Sequence, residues 1–138
     1  MTANISTRGR VLGIAYNVIP TADIERAAEW WTENFGANAR HHQEDSISLF
    51  RDNRPILHLL QSDDMSRAHF QVEGRKRWVI TFFTDDIEFL HKRLSAKGVL
   101  VSVISYEGHN GNFFTLEDLD GNLIDVWEHR EVELIIES

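Results

Sequence analysis

The chain has 138 residues, no cysteine and a formal net charge of −8 at pH 7. This length is that of one domain that buries a core without cross-links. The absence of cysteine excludes thiol nucleophiles, thiolate metal ligands and disulfides. The negative charge argues against nucleic acid and anionic membranes as partners. No apolar run is long enough to span a bilayer and the first residues lack a signal-peptide core, so we expect a cytoplasmic protein.

The first half of the chain predicts one strand, one helix and three further strands. Residues 11–19 are rich in β-branched and aromatic residues and indicate the first strand. Apolar residues then recur at helical spacing from Ile24 to Phe35, with Thr21 or Asp23 as the cap. The three strands that follow are predicted at residues 39–43, 46–50 and 55–60.

The second half repeats this order. Residues 77–83 indicate a strand, and Asp85 is expected to cap a helix that ends at Gly98. The segments Thr-Ala-Asp-Ile-Glu and Thr-Asp-Asp-Ile-Glu mark equivalent points, 63 residues apart. Two copies of a βαβββ unit, at about residues 11–61 and 77–128, therefore make up a single domain that covers residues 1–138. The last three strands are predicted at residues 99–104, 112–117 and 122–128.

One side chain in the last predicted strand needs a special explanation. The Asp-Gly-Asn sequence after residue 119 predicts a tight turn between the final two strands. Alternation along the last strand then places Asp125 on the same face as Leu123 and Trp127. A carboxylate on an apolar strand face is unfavourable unless it is paired, hydrogen-bonded or bound to a metal.

Two segments carry a resemblance to a known family. They are Asp-Ile-Glu-Arg-Ala-Ala-Glu-Trp-Trp, from residue 23, and Phe-Phe-Thr-Leu-Glu-Asp-Leu-Asp-Gly-Asn-Leu-Ile-Asp-Val-Trp-Glu, from residue 113. They resemble the vicinal oxygen chelate superfamily, which includes glyoxalase I, extradiol dioxygenases and bleomycin-resistance proteins. The resemblance implies an α+β fold in which two βαβββ units form a cupped mixed sheet around a metal or ligand. We further expect a homodimer, and each cup is formed either within one chain or by units from two chains.

The resemblance also assigns possible metal positions on four strands. In metal-dependent members the ligands come from positions that fall here on Tyr16, His58, Val79 (or Trp78 if the register slips) and Asp125. His58 and Asp125 are suitable donors for Zn, Fe, Ni or Mn, whereas Tyr16 is a poor one and valine is none. Because catalytic sites normally use three protein ligands, the sequence favours a protein without a catalytic metal. A buried hydrogen bond or ion pair between His58 and Asp125 would account for both residues.

The candidate ligand-binding residues follow from the same cup. His58 and Asp125 would orient the polar atoms of a ligand. His109 lies in a loop with two glycines, which either folds over a ligand or forms an exposed turn. The remaining candidates are aromatic and serve either as ligand walls or as ordinary core packing: Tyr16, Trp31, Trp78, Phe113 and Trp127.

These observations predict a glyoxalase/bleomycin-resistance-like protein that binds a small aromatic or amphipathic molecule. The alternative is a metal-dependent lyase, isomerase or dioxygenase that acts on a substrate with vicinal oxygens. A third hypothesis is a metal-free enzyme that uses the His58–Asp125 pair for acid–base catalysis.

Overall fold

Residues 8–129 are the part of the chain that the computed structural model describes, and the first half of them folds as one βαβββ unit. We call this the first unit and its sheet the first sheet. The sheet order is β1-β4-β3-β2, with β1 parallel to β4 and the other pairs antiparallel, so β4 is a central strand. The elements are β1 (Asn17–Thr21), α1 (Ile24–Phe35), β2 (Asn38–Arg40), β3 (Ser46–Arg51) and β4 (Arg54–Gln61).

A two-stranded hairpin, β5 (Phe70–Val72) and β6 (Arg75–Arg77), separates the first unit from the second. In the second unit β11 is the central strand, because the sheet order is β7-β11-β10-β8, with β9 also paired to β10. β7 runs parallel to β11, as β1 does to β4. The elements of this unit are β7 (Thr81–Phe83), α2 (Ile87–Ala96), β8 (Leu100–Val101), β9 (Ser105–Tyr106), β10 (Asn112–Glu117) and β11 (Leu123–Glu128). The predicted α+β class is confirmed.

Both helices begin and end where local chemistry directs. The Asp23 side chain accepts from the backbone N–H three residues later, and Gly36 ends α1 at a φ of 65°. In α2 the cap is Asp86, which accepts from the N–H of Phe89, and not Asp85 as predicted. The prediction was one residue early because two adjacent aspartates offer the same capping chemistry. No helix of the described residues is long and apolar enough to cross a membrane.

Four predicted strands differ from the structure, and the one predicted at residues 39–43 is β2, which ends at Arg40. β1 begins at Asn17, and residues 11–16 form no strand. The predicted strand 77–83 is divided, because its first residue belongs to β6 and only its last three form β7. Of residues 99–104 only Leu100 and Val101 are in a strand. In each case the segment is extended by propensity, but only part of it has a neighbouring strand to bond with.

Contacts between the helices and one turn join the two units. Arg93 of α2 donates to the carbonyl oxygen of Asn34 near the end of α1 (3.4 Å). The Thr21 hydroxyl, at the end of β1, donates to the Asp120 carboxylate in the β10–β11 turn (2.6 Å). Trp31 of α1 is fully buried, with its ring 6.1 Å from that of Phe82 in β7. Within residues 8–129 the strands of the first sheet do not pair with those of the second.

Candidate functional site

His58 lies in the middle of β4, on the sheet face opposite α1. Its neighbours Leu57 and Leu59 point into the core and are fully buried, so alternation turns the imidazole to the other face. In the sheet register His58 stands between Val18 of β1 and Ser48 of β3. The hydroxyl oxygen of Ser48 lies 2.9 Å from His58 Nδ1, at hydrogen-bonding distance. Imidazole and serine therefore satisfy each other on this half-buried face.

Tyr16 stands beside His58 but outside any strand. Its ring centroid is 5.0 Å from that of the imidazole, with the planes tilted by 33°. The tyrosine is 44% exposed and Val18 is 50% exposed. The structure therefore brings two sequence-predicted site residues, Tyr16 and His58, together on an open face of the first sheet.

Asp125 holds the equivalent place in the second sheet. It lies in the middle of β11, between Thr81 of β7 and Thr115 of β10. The Thr81 hydroxyl donates to Asp125 Oδ2 at 2.9 Å. The second oxygen, Oδ1, is buried and has no hydrogen-bond partner, and only 1% of the residue is exposed. The sequence therefore correctly identified a buried carboxylate, and only one of its two oxygens has a hydrogen-bond partner.

The environment of Asp125 shifts its proton equilibrium. Burial raises the pKa of Asp125 to about 6, because the charged form loses its hydration. The hydrogen bond from Thr81 opposes this rise, while the nearby negative charge of Glu107 adds to it. At pH 7 the group is mostly an anion with one oxygen free to accept a hydrogen bond.

An aromatic stack lies beside Asp125 on the same face of the second sheet. Trp127 follows Asp125 by two residues and is paired in register with Phe113. The two rings are stacked with centroids 6.4 Å apart, and the His129 ring stacks on Trp127 at 5.2 Å. All three side chains are half-buried, so this face offers a flat apolar surface next to a carboxylate.

The loop that contains His109 is fastened to this stack. The Trp127 indole N–H donates to the carbonyl oxygen of Asn110 (3.0 Å), and His129 Nε2 lies 2.6 Å from the carbonyl oxygen of His109. Gly111 closes the loop with a φ of 95°, and a Cβ there would lie 2.6 Å from Trp127 Nε1. The exposed imidazole of His109 thus lies on a turn that is held by hydrogen bonds to Trp127 and His129.

Two sequence expectations about this site do not hold. His58 and Asp125 form no hydrogen bond or ion pair, since the first is bonded to Ser48 and the second to Thr81. The two residues lie in separate sheets of residues 8–129. Trp31 does not line an open face, because its side chain is fully buried in the core.

The carried-over metal position on β7 also differs. Residues 78–80 precede β7, so neither Trp78 nor Val79 stands in the sheet beside Asp125. Thr81 occupies that place and was missed, because the register of a parallel pair depends on residues far apart in sequence. Ser48 was missed as well, although a serine at both residues 46 and 48 marks the His58 face of β3.

The donors of one chain do not fit a catalytic metal. Such a site needs about three protein ligands. Among the described residues no group of three or more histidine, aspartate or glutamate side chains could hold a metal ion. Asp125 supplies one free oxygen and His58 stands in another sheet, which leaves the set incomplete.

Comparisons with known proteins agree on the family and the fold. A profile of the Glyoxalase/Bleomycin resistance protein/Dioxygenase superfamily matches residues 13–126. A search of curated proteins finds no match. Among solved structures, a Bacillus anthracis protein assigned to the glyoxalase family is 19% identical, with a TM-score of 0.71 over 89% of this chain and 99% of that one.

Two further structures are similar at lower identity. Lactoylglutathione lyase from Agrobacterium tumefaciens is 16% identical, with a TM-score of 0.66 over 86% of this chain and 94% of that one. A bleomycin resistance determinant encoded on transposon Tn5 is also 16% identical, with a TM-score of 0.65 over 86% of this chain and 98% of that one. At these identities the likeness shows the fold, which is compatible with unrelated activities.

Proposed function

The chain belongs to the Glyoxalase/Bleomycin resistance protein/Dioxygenase superfamily, and on this basis we propose that it binds a small aromatic or amphipathic molecule against the Asp125 face of the second sheet. The observation that carries the proposal is the buried Oδ1 of Asp125, which has no partner. An unsatisfied buried acceptor costs about 1–3 kcal/mol, and a hydrogen-bond donor on a ligand would recover that energy.

The stack beside Asp125 supports a flat ligand. Phe113 and Trp127 present ring faces next to the carboxylate, and aromatic ligands gain from stacking on such rings. A molecule with an aromatic ring and an N–H or O–H donor would use both features at once. His109, on the turn bonded to Trp127, would border the same face.

A second copy of the chain would complete the site. In one chain the His58 face and the Asp125 face belong to separate sheets, and both leave large apolar side chains exposed, such as Val18 at 50% and Phe83 at 41%. In the proposed homodimer the His58 face of one copy closes over the Asp125 face of the other. Tyr16 and His58 would then supply polar contacts from the opposite wall of a cup.

The second candidate is a metal-dependent lyase, isomerase or dioxygenase. The free Asp125 oxygen favours it in part, because a cation is another partner for an unsatisfied carboxylate. The donor set described above does not fit a catalytic metal, so we place this candidate second.

The test is a ligand screen followed through tryptophan fluorescence. We expect aromatic compounds with an N–H or O–H donor to change the emission of the wild-type protein. Asp125→Asn should weaken that binding, whereas Asp63→Asn, on an exposed residue, should leave it unchanged. Equal binding by Asp125→Asn would reject the proposed site.

Elemental analysis of protein purified without added metal decides between the two candidates. A stoichiometric metal that is lost in both His58→Ala and Asp125→Ala would reject the metal-free binding function in favour of the metal-dependent enzyme. A metal-free protein that still binds the aromatic compounds would support the proposal.

A further inference from the structure

The hairpin between the two units is an isolated, exposed element. Its strands pair only with each other among the described residues. In its register Phe70 stands opposite Arg77, and Val72 stands opposite Arg75. These four side chains therefore share one face, which we call the hairpin face. Phe70 is 50% exposed and Val72 is 44% exposed, so both leave apolar surface open to a partner.

The hairpin is also basic in an acidic protein. Residues 75–77 are three consecutive cations, and none of them forms an ion pair within residues 8–129. With Glu73 as its one acidic residue, the segment 70–77 carries a formal charge of +2, so the rest of the chain carries −10. A surface that is cationic and apolar at once is suited to an acidic, apolar partner.

The second unit presents a surface of that kind. Asp85 and Glu88 are exposed at the start of α2, with Phe89 65% exposed beside them. Tyr106 is 61% exposed and donates its hydroxyl proton to Glu88 Oε1 at 2.8 Å. We call these four residues the acidic patch. The acidic patch complements the hairpin face. It has two negative charges where the hairpin face has two positive ones, and each surface has two large apolar side chains.

We propose that the hairpin face of one copy docks on the acidic patch of a second copy. The inference rests on the proposed function, because it names the contact that would hold the proposed homodimer together. A two-fold symmetric pair makes every such contact twice, so one modest complementary surface acts with double effect. Nucleic acid and anionic membranes would be repelled by the charge of −10 outside the hairpin.

The first experiment reverses the hairpin charges in the full chain. We expect Arg75→Glu with Arg77→Glu to raise the dimer dissociation constant roughly tenfold or more, because attraction becomes repulsion at both contacts. Sedimentation equilibrium over a dilution series measures the constant. Arg26→Glu with Lys97→Glu changes the total charge equally at exposed sites, in α1 and at the far end of α2, and should have a much smaller effect.

The second experiment exchanges the charges. Asp85→Arg with Glu88→Arg should weaken the dimer as the hairpin variant does, and the combination of all four substitutions should restore it. Circular dichroism spectra that match the wild type would show that each variant is folded. A dimer that is indifferent to the hairpin variant, or four substitutions that fail to restore association, would overturn the proposed contact.

The two proposals fail in different ways. If the wild-type protein binds aromatic ligands but the hairpin variant remains a dimer, the docking contact is wrong and the ligand site stands. If the charge exchange restores the dimer but no ligand binds, the docking contact stands and the proposed function is wrong.

Discussion

The two central strands place different polar groups at the same structural position. In the first sheet His58 is half-buried and its Nδ1 is bonded to Ser48, beside an exposed tyrosine. In the second sheet Asp125 is buried, keeps one oxygen without a partner and has a raised pKa. The repeat has preserved the position but not its energetics. The His58 imidazole already has a hydrogen-bond partner, whereas the free oxygen of Asp125 is a group that a bound molecule can stabilise.

The largest expected effect on stability comes from removing the charge of Asp125. The pKa of Asp125 is about 6 in the folded state and 3.8 in the reference state, so ionisation of this carboxyl group destabilises the folded state. The unfolded chain loses its proton first, so this residue reduces stability as the pH rises from 4 to 6, by about 3 kcal/mol in total. Asp125→Asn removes that decrease and should be more stable than the wild type at pH 7. Urea unfolding at a series of pH values measures the difference.

The matched variant for that measurement is Asp118→Asn. Burial also raises the pKa of Asp118, but the carboxylate accepts from two backbone N–H groups and from the Asn122 side chain. Its replacement breaks these bonds and should lower stability at pH 7. Stabilisation by both substitutions would show that the free oxygen of Asp125 is not what distinguishes it.

A medium effect is expected at Gly111, in the turn bonded to Trp127. Alanine there meets both a φ of 95° and a backbone oxygen of Glu128 at 2.6 Å. We expect Gly111→Ala to lower the free energy of unfolding by about 2 kcal/mol, from backbone strain and the loss of the indole hydrogen bond. Thermal unfolding monitored by tryptophan fluorescence measures it.

Gly108 provides the control for this turn. Its φ is also positive, at 61°, but a Cβ there would have no atom within 4 Å. Gly108→Ala should therefore cost about 1 kcal/mol, from the backbone alone. Equal losses for the two variants would mean that the turn is not held against Trp127.

The smallest effects on stability are expected from the hydrogen-bond partners of Asp125 and His58. Thr81→Val removes the hydrogen bond that favours the charged carboxylate, so the pKa of Asp125 should rise further and stability at pH 7 should fall by about 1 kcal/mol. Ser48→Ala should cost less, because water can reach the half-buried His58. The pH dependence of urea unfolding separates the two, since only Thr81→Val should move the midpoint that Asp125 sets.

The local sequence pattern was sufficient to predict most helices and strands, but not which strands lie side by side. The helical spacing, the Asp23 cap and Gly36 fixed α1, and residues 112–117 are a strand as predicted. Alternation correctly placed Asp125 on the Trp127 face. What local pattern does not contain is which strand lies alongside, so Thr81 was missed and a bond between His58 and Asp125 was predicted wrongly.

The lengths of the outer strands have a consequence for aggregation. In both sheets the longest strands are central, and three of the outer ones, β2, β7 and β8, have three residues or fewer. A short edge offers few unpaired N–H and C=O groups to a strand from another molecule. The longer edge strand β1 contains Pro20, which has no N–H to donate. Within residues 8–129 the edges of the two open sheets therefore offer few positions at which a strand of another molecule could add.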